Sequence, residues 1–141
     1  DVVYAPGYIK VVAYNENGTA AMEKTVRTAG RASALKLKAD RSLLTADGKD
    51  LCFVNVSVVD ENGNPVPNDN RLVKVKVKGA GSFKAIANGD PTCLEPFHEP
   101  QMHLFSGQLT VLVQSSGEPG DITVEVSGKG VKKATMTIKT E

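Results

Sequence analysis

The chain of 141 residues contains no tryptophan, only two cysteines and 5% aromatic residues, and its formal net charge is +1. This near-neutral charge argues against binding to nucleic acid or to an anionic membrane surface, because both depend on an excess of basic residues. No apolar run approaches the ~18 residues of a membrane-spanning helix, so we expect no membrane insertion. The length is sufficient for one domain with a hydrophobic core of its own.

The hydrophobic residues repeat with a period of two, which is the spacing of β-strands, rather than with the helical period of 3.6. Val73, Val75 and Val77, for example, alternate with three lysines. Each such stretch has one apolar and one polar face, as expected of an antiparallel sheet with one face in solvent. The pattern predicts an all-β chain with little or no helix. It recurs at residues 35–39, 52–58, 73–77, 109–113, 122–126 and 134–138.

Turn-forming dipeptides separate these stretches. Asn17-Gly18, Asp47-Gly48 and Asn62-Gly63 accept the positive φ angles of tight hairpin turns. Short strands at a spacing of roughly 8–12 residues, divided by such turns, are typical of immunoglobulin-like sandwiches. The sequence therefore predicts an immunoglobulin-like antiparallel β-sandwich.

The first 30 residues differ from the remainder in their organisation. Residues 8–14 and 20–28 form a hairpin pattern around Asn17-Gly18, and residues 28–32 have the composition of a short linker. A lone two-stranded hairpin is only marginally stable in water. We therefore expect residues 1–30 to be the terminal hairpin of a preceding immunoglobulin-like domain, and residues 31–141 to form a complete sandwich.

The least regular stretch, residues 79–107, is predicted to be a loop, and loops of this length are often functional. It contains both histidines and several carboxylates, which are ligand types for a metal, but their spacing matches no strong motif. We expect no metal site and a solvated loop held by Pro91, Phe97 and Phe105. The loop residues that we consider as candidates for an interaction are Asn88, Gly89, Asp90, Glu95, Phe97, His98 and His103.

No motif for catalysis is present. Glu95 and Glu99 could be imagined as the carboxylate pair of a glycosidase, but one loop rarely builds the cleft that a sugar needs. The sequence has neither a nucleophile elbow nor a glycine-rich phosphate loop, so we predict no catalytic residue and no cofactor. Cys52 lies on an inward-facing strand position and Cys93 in the loop. The sequence is compatible with a disulfide between them in an oxidising compartment, and equally with two unpaired thiols.

Several segments resemble a known family. Residues 4–14, the Asn-Gly turn and residues 26–30 resemble the end of an immunoglobulin-like domain in glycoside hydrolase family 2, which includes bacterial β-galactosidases. The stretches that resemble the domain following it in the longer members are 35–41, 44–51, 53–56, 60–67, 88–91, 95–97 and 113–115.

This resemblance implies a C-terminal, non-catalytic part of a much larger hydrolase. In that family the catalytic glutamates lie on a (β/α)₈ barrel, and this chain has no βα alternation to which they correspond. The implied partners are the other domains of the parent enzyme, with a homo-oligomer contact also considered, and the implied location is periplasmic or extracellular. Two alternatives are an invasin-like spacer repeat and a carbohydrate-binding module. The low aromatic content weighs against the second of these.

Overall fold

A computed structural model describes residues 3–141, which form eleven β-strands. The described residues contain no helix with the length and apolarity that crossing a membrane requires. The strands are β1 (Tyr8–Tyr14), β2 (Ala20–Arg27), β3 (Ala34–Ala39), β4 (Leu43–Leu44), β5 (Leu51–Val59), β6 (Leu72–Gly79), β7 (Gly81–Ala87), β8 (Gln101–His103), β9 (Gln108–Ser115), β10 (Gly120–Gly128) and β11 (Ala134–Thr140).

The strands form a two-stranded hairpin, β1-β2, and two larger sheets. One sheet has the strand order β4-β11-β10-β6-β8, and the other has the order β3-β5-β9-β7. The predicted immunoglobulin-like sandwich is thereby confirmed. One pairing within it is parallel, that of the two-residue strand β4 with β11. Hydrophobic alternation does not reveal this exception, because the side-chain period is two in either direction.

The core consists of the inward-facing residues of both large sheets. Val54 and Val111 of the four-stranded sheet are fully buried in the same cluster as Val73, Val124 and Ile138 of the five-stranded sheet. Burial of each such side chain contributes roughly 1.5–3 kcal/mol relative to exposure. The alternation seen in the sequence is therefore the alternation of core and solvent faces.

The stretch predicted as one long loop, residues 79–107, contains two strands, so that prediction was wrong in extent. β7 escaped notice because a β-bulge between Phe83 and Ala85 adds a residue to the strand. Because of the bulge, the next inward-facing residue after Phe83 is Ile86 and not Ala85. β8 is too short, at three residues, for a period to be recognised. The irregular part is limited to residues 88–100.

A tight turn after β8 was also missed. Ser106 and Gly107 have φ angles of 51° and 74°, and Phe105 and Gln108 exchange two backbone hydrogen bonds of 3.0 Å. Two successive positive φ angles define a type I′ hairpin turn. The predicted Asn-Gly and Asp-Gly turns are present, with positive φ at Gly18, Gly48 and Gly63.

Candidate functional site

The hairpin β1-β2 has one apolar face that is left exposed. Ile9 pairs with Val26, Val11 with Lys24 and Ala13 with Met22, so these six side chains, five of them apolar, lie on the same face. Between 62% and 72% of Ile9, Val11, Met22 and Val26 is accessible to solvent. Strand pairs normally bury such a face, because removing apolar side chains from water stabilises the folded protein.

The opposite face of the hairpin is more polar and carries two internal contacts, although Val12 and Tyr14 also lie on it. The Lys10 Nζ atom lies 2.6 Å from Glu23 Oε2, and the Arg27 guanidinium lies 5.0 Å from the centre of the Tyr8 ring. A salt bridge and a cation–π contact are compatible with solvent on this side. The hairpin therefore has one mainly apolar face, which is exposed within residues 3–141.

Asp60 connects the linker that follows the hairpin to the sandwich. It lies at the end of β5 and is only 3% exposed. Its Oδ1 atom accepts hydrogen bonds from the backbone nitrogens of Asn62 (2.9 Å) and Asn64 (2.8 Å). Its Oδ2 atom accepts from the Asn64 side-chain amide (3.0 Å) and from the Gly30 backbone nitrogen (2.8 Å). One carboxylate thus fixes both a tight turn and the linker.

These donors explain the acidity of the carboxyl group. The side chain of Asn64, and after it the Gly30 N–H, lower the pKa of Asp60 to about 2, against a smaller opposing effect of burial. The carboxylate is therefore charged at any physiological pH and keeps all its hydrogen bonds.

Backbone hydrogen bonds extend this junction on both sides. The Ser33 nitrogen donates to Val59 O (2.9 Å), and the Lys132 nitrogen donates to Ser33 O (2.9 Å). At the base of the hairpin, the Thr28 nitrogen donates to Gly7 O (2.8 Å). Between the hairpin base and the turn after Asp60 lies an open crevice of about 780 Å³, lined in part by Tyr8, Arg27, Arg31, Glu61 and Asn62.

The loop after β7 brings together three of the predicted site residues. The Glu95 carboxylate accepts from the His103 backbone nitrogen (2.9 Å) and lies 2.9 Å from the His103 Nδ1 atom. The Asn88 amide donates to the His103 carbonyl (2.9 Å). Partial burial raises the pKa of Glu95, but the hydrogen bonds from His103 outweigh it, so the net shift is downward. These contacts fasten the loop to the edge strand β8.

Of the remaining predicted loop residues, Asp90 joins that cluster through its backbone nitrogen, which donates to Asn88 Oδ1 (3.0 Å). Gly89 has a φ angle of 79°, and Asp90 accepts hydrogen bonds from Thr92 within its own turn. His98 is exposed, and Phe97 is 57% exposed. Within residues 3–141, no group of three or more His, Cys, Asp or Glu side chains is arranged to hold a metal ion.

The loop is not held by the side chains that we expected to hold it. Pro91 and Phe97 are exposed, and Phe105 is 43% exposed. Besides the Glu95 and Asn88 contacts, backbone hydrogen bonds hold it, from the Ile86 nitrogen to Phe97 O and from the Val75 nitrogen to Pro100 O, both of 2.8 Å. Composition does not reveal such contacts, because every residue except proline carries the same backbone donor.

The two cysteines do not form the disulfide that we considered, since both are free thiols. Cys52 is fully buried, and its Sγ atom lies 3.2 Å from Asp40 Oδ1. Burial first, and then the hydrogen bond to Asp40, raise the pKa of Cys52 to about 11. Cys93 lies within 3.6 Å of the Asn88 amide nitrogen. The two thiols therefore have separate surroundings.

Sequence reasoning did not single out Asp60 as a functional residue. The available signal was the pattern Asp60-Glu-Asn-Gly-Asn64, in which an aspartate precedes a turn and caps its backbone. That pattern predicts the bonds to Asn62 and Asn64. The bond to Gly30, 30 residues away, is set only by the tertiary structure.

The fold and these contacts define an immunoglobulin-type β-sandwich domain with an amphipathic strand pair fixed at one end. The chain belongs to the family described as glycoside hydrolase family 2 C-terminal domain 5, whose profile matches residues 35–137. It is 40% identical over 140 residues to the Beta-galactosidase BoGH2A of Bacteroides ovatus. The alignment covers 99% of this chain but 16% of that protein.

The chain superposes on parts of solved structures from two kinds of protein. A glycosyl hydrolase family 2 member from Bacteroides cellulosilyticus superposes with a TM-score of 0.90 at 29% identity, over 99% of this chain and 18% of the other. The D00-D0 domain of Intimin superposes with a TM-score of 0.59 at 18% identity, over 97% of this chain and 66% of the other, which shows a shared fold alone. The chain thus spans about a sixth of the length of the hydrolases that it matches.

Proposed function

We propose that this chain is a non-catalytic accessory domain of a family 2 glycoside hydrolase, and that its hairpin completes the domain preceding it. The observation that carries the proposal is the uncovered apolar face of β1-β2, which lies upstream of the region that the family profile matches. A hairpin with one apolar face gains stability when that face packs on a second sheet. The match covers only 16% of Beta-galactosidase BoGH2A, so the remainder of such a relative is long enough to include a second sheet of this kind.

The mechanism is positioning rather than catalysis. Asp60 and the backbone bonds at Ser33 tie the linker to the sandwich on the side where the hairpin leaves it. A charged carboxylate with several N–H donors makes strong hydrogen bonds, which set the direction of the linker. The sandwich is thereby held at a defined angle to the domain that receives the hairpin.

Two groups that could carry chemistry are engaged in other contacts. Within the described residues, the Glu95 carboxylate, a candidate acid or base, is occupied by His103, and the Cys52 thiol is buried. We therefore expect the isolated chain not to hydrolyse a nitrophenyl β-galactoside, whereas the longer polypeptide hydrolyses a β-glycoside. Export to the periplasm or the exterior, implied by the family resemblance, stays a prediction.

Thiol labelling at two neighbouring residues tests the packing of the hairpin. In a Cys93→Ser background, Met22→Cys places a thiol on the apolar face, and Glu23→Cys places one on the polar face. Both thiols should react quickly in the 141-residue chain. In the polypeptide extended upstream, the thiol at position 22 should become protected, while the control at position 23 stays reactive.

Two results would contradict the proposal. Equal reactivity of position 22 in the short and the extended polypeptides would show that no upstream sheet covers the apolar face. Turnover of a β-galactoside by the purified 141-residue chain, retained through a second purification, would show that the domain is catalytic.

A further inference from the structure

The end of the sandwich at which the linker enters also carries exposed apolar side chains. Between residues 31 and 141, five large apolar residues are exposed, and three of them lie in the connections around β8. They are Leu94, Phe97 and Phe105, which we call the end patch. Leu94 is 96% exposed, so the domain by itself gives this side chain almost no contact. An apolar residue in this state gains stability when another surface covers it.

The directions of the strands place these connections at the linker end. β5 ends at Val59, whose carbonyl oxygen accepts a hydrogen bond from the Ser33 nitrogen at the end of the linker (2.9 Å). The turn that contains Phe105 lies at the same end, because the Val58 nitrogen donates to the Gly107 carbonyl oxygen (3.0 Å). β7 is antiparallel to β9, and β9 is antiparallel to β5, so the loop after β7 also leaves its sheet toward this end.

Hydrogen bonds hold the loop beside the strand that leads to Phe105. The Glu95 carboxylate, next to Leu94 in the chain, accepts from the His103 backbone nitrogen (2.9 Å), and His103 precedes Phe105 by two positions. The Asn88 amide donates to the His103 carbonyl oxygen (2.9 Å). A loop that is fastened in this way loses little conformational freedom when its apolar residues are covered.

Charged side chains are exposed at this end as well, and they carry both signs. Lys129 and Lys132 lie in the connection between β10 and β11, and Glu61 lies in the turn after β5. His98 and Glu99 are exposed in the loop itself. Apolar residues accompanied by charges of both signs suit an interface between domains of one chain, because such interfaces are more polar than permanent subunit interfaces.

The linker is too short to hold a preceding domain far from this end. The Thr28 nitrogen donates to Gly7 O at the base of the hairpin (2.8 Å), whereas Ser33 is already bonded to the sandwich. The chain from residue 28 to residue 33 spans at most about 18 Å. The four-stranded sheet is about 14 Å wide from β3 to β7, and a domain of about 100 residues has a radius of gyration of about 13 Å. A domain tethered at the β3 edge is therefore wide enough to reach the loop at the β7 edge.

We propose that the end patch packs against an apolar surface of the preceding domain, the one that the hairpin completes. The sandwich then meets that domain at two places, the linker at the β3 edge and the end patch at the β7 edge. Two separated contacts fix the angle between the domains more firmly than the linker alone. This inference rests on the proposed function, because the occupant is the domain whose sheet covers the hairpin. A second copy of the chain is disfavoured, since the tethered domain has the higher effective concentration.

Thiol labelling at two matched leucines tests the proposal. In the Cys93→Ser background, Leu94→Cys places a thiol in the end patch, and Leu43→Cys places one at the opposite end, where β4 pairs with the last residues of β11. Both leucines are exposed, so both variants should fold and react quickly in the 141-residue chain. In the polypeptide extended by the preceding domain, the thiol at position 94 should react about tenfold more slowly or less, while the thiol at position 43 keeps its rate.

The Met22→Cys variant is measured in the same extended polypeptide, because its protection reports that the preceding domain covers the hairpin. Protection at position 22 with full reactivity at position 94 would overturn the end-patch proposal and leave the proposed function in place. Full reactivity at position 22 would contradict the proposed function and this inference with it.

Two further results would overturn the end-patch proposal alone. Protection of position 94 in the 141-residue chain that rises with protein concentration would identify a second copy as the occupant. Equal slowing at positions 43 and 94 in the extended polypeptide would show that the protection is not specific to the linker end.

Discussion

The Oδ2 atom of Asp60 lies 2.8 Å from the backbone nitrogen of Gly30, although the two residues are 30 positions apart. This hydrogen bond joins the last linker residue before the sandwich to the end of a core strand. Because the same carboxylate also caps the Asn62-Gly63 turn, the direction of the linker and the conformation of the turn depend on one side chain.

Replacing Asp60 with asparagine should lower the thermal midpoint at pH 7 and weaken its dependence on acid pH. Asparagine has one acceptor oxygen instead of two, so it cannot satisfy all of these donors. The pKa of Asp60 falls from 3.8 to about 2 on folding, so its stabilisation is complete above pH 4 and is lost as the pH falls toward 2. The variant should therefore lose less stability than the wild type between pH 5 and pH 2.

Thermal melts followed by circular dichroism at several pH values provide the measurement. Glu61→Gln is the control, since it removes one negative charge from the adjacent, exposed position. Identical acid sensitivity in the Asp60 variant and the wild type would exclude Asp60 as a source of the pH dependence.

Gly107→Ala should destabilise the chain by about 1–3 kcal/mol. Gly107 has a φ angle of 74°, and a Cβ atom there would collide with the backbone carbonyl oxygen of Val66. Gly117→Ala is a suitable control, because Gly117 has no neighbouring atom within 4 Å of an added Cβ. Urea titration of both variants measures the difference, and equal midpoints would show that the turn accommodates the extra carbon.

The native chain should present one reactive thiol at pH 8 and two after denaturation. Cys52 is fully buried and its pKa is raised to about 11, so very little thiolate is present and access is blocked. Cys93 is partly exposed. Titration with a chromogenic disulfide reagent, with and without guanidinium chloride, counts the thiols. Finding none in the denatured, unreduced protein would mean that the two cysteines are joined after all.

Removing residues 1–30 should leave a sandwich that unfolds cooperatively. The buried core residues all lie at or after Leu35, so the deletion exposes little of the core. The loss of the Gly30 bond to Asp60 should still lower the thermal midpoint. Calorimetry of residues 31–141 measures both effects. Complete loss of the transition would show that the hairpin is an integral part of this core.

Much of the fold could be predicted because its strands follow simple rules. Val54, Val56 and Val58 alternate with polar or exposed residues, and the structure buries those three. Where the strand geometry departs from a period of two, as at the β7 bulge, the prediction failed. The same holds for β8, which consists of three residues.

The candidate sites were less predictable. The sequence directed attention to His98 and His103, because histidines and carboxylates in a loop suggest chemistry. The structure uses His103 to fasten the loop through Glu95 and leaves His98 exposed. Phe53 lies on the outer face of β5 and is 44% exposed, between the buried Cys52 and Val54.

By itself, the sequence determined the strand content, the turns at Asn-Gly and Asp-Gly, the sandwich and the family, because these depend on local periodicity, local backbone preference and motifs read along the chain. Only the tertiary structure decided that Asp60 reaches Gly30, that Cys52 and Cys93 stay apart, and that Phe53 shares a row with Leu112 and Ala85. Those relationships join residues distant in the chain, and their geometry follows from strand register and sheet order, which no local pattern specifies.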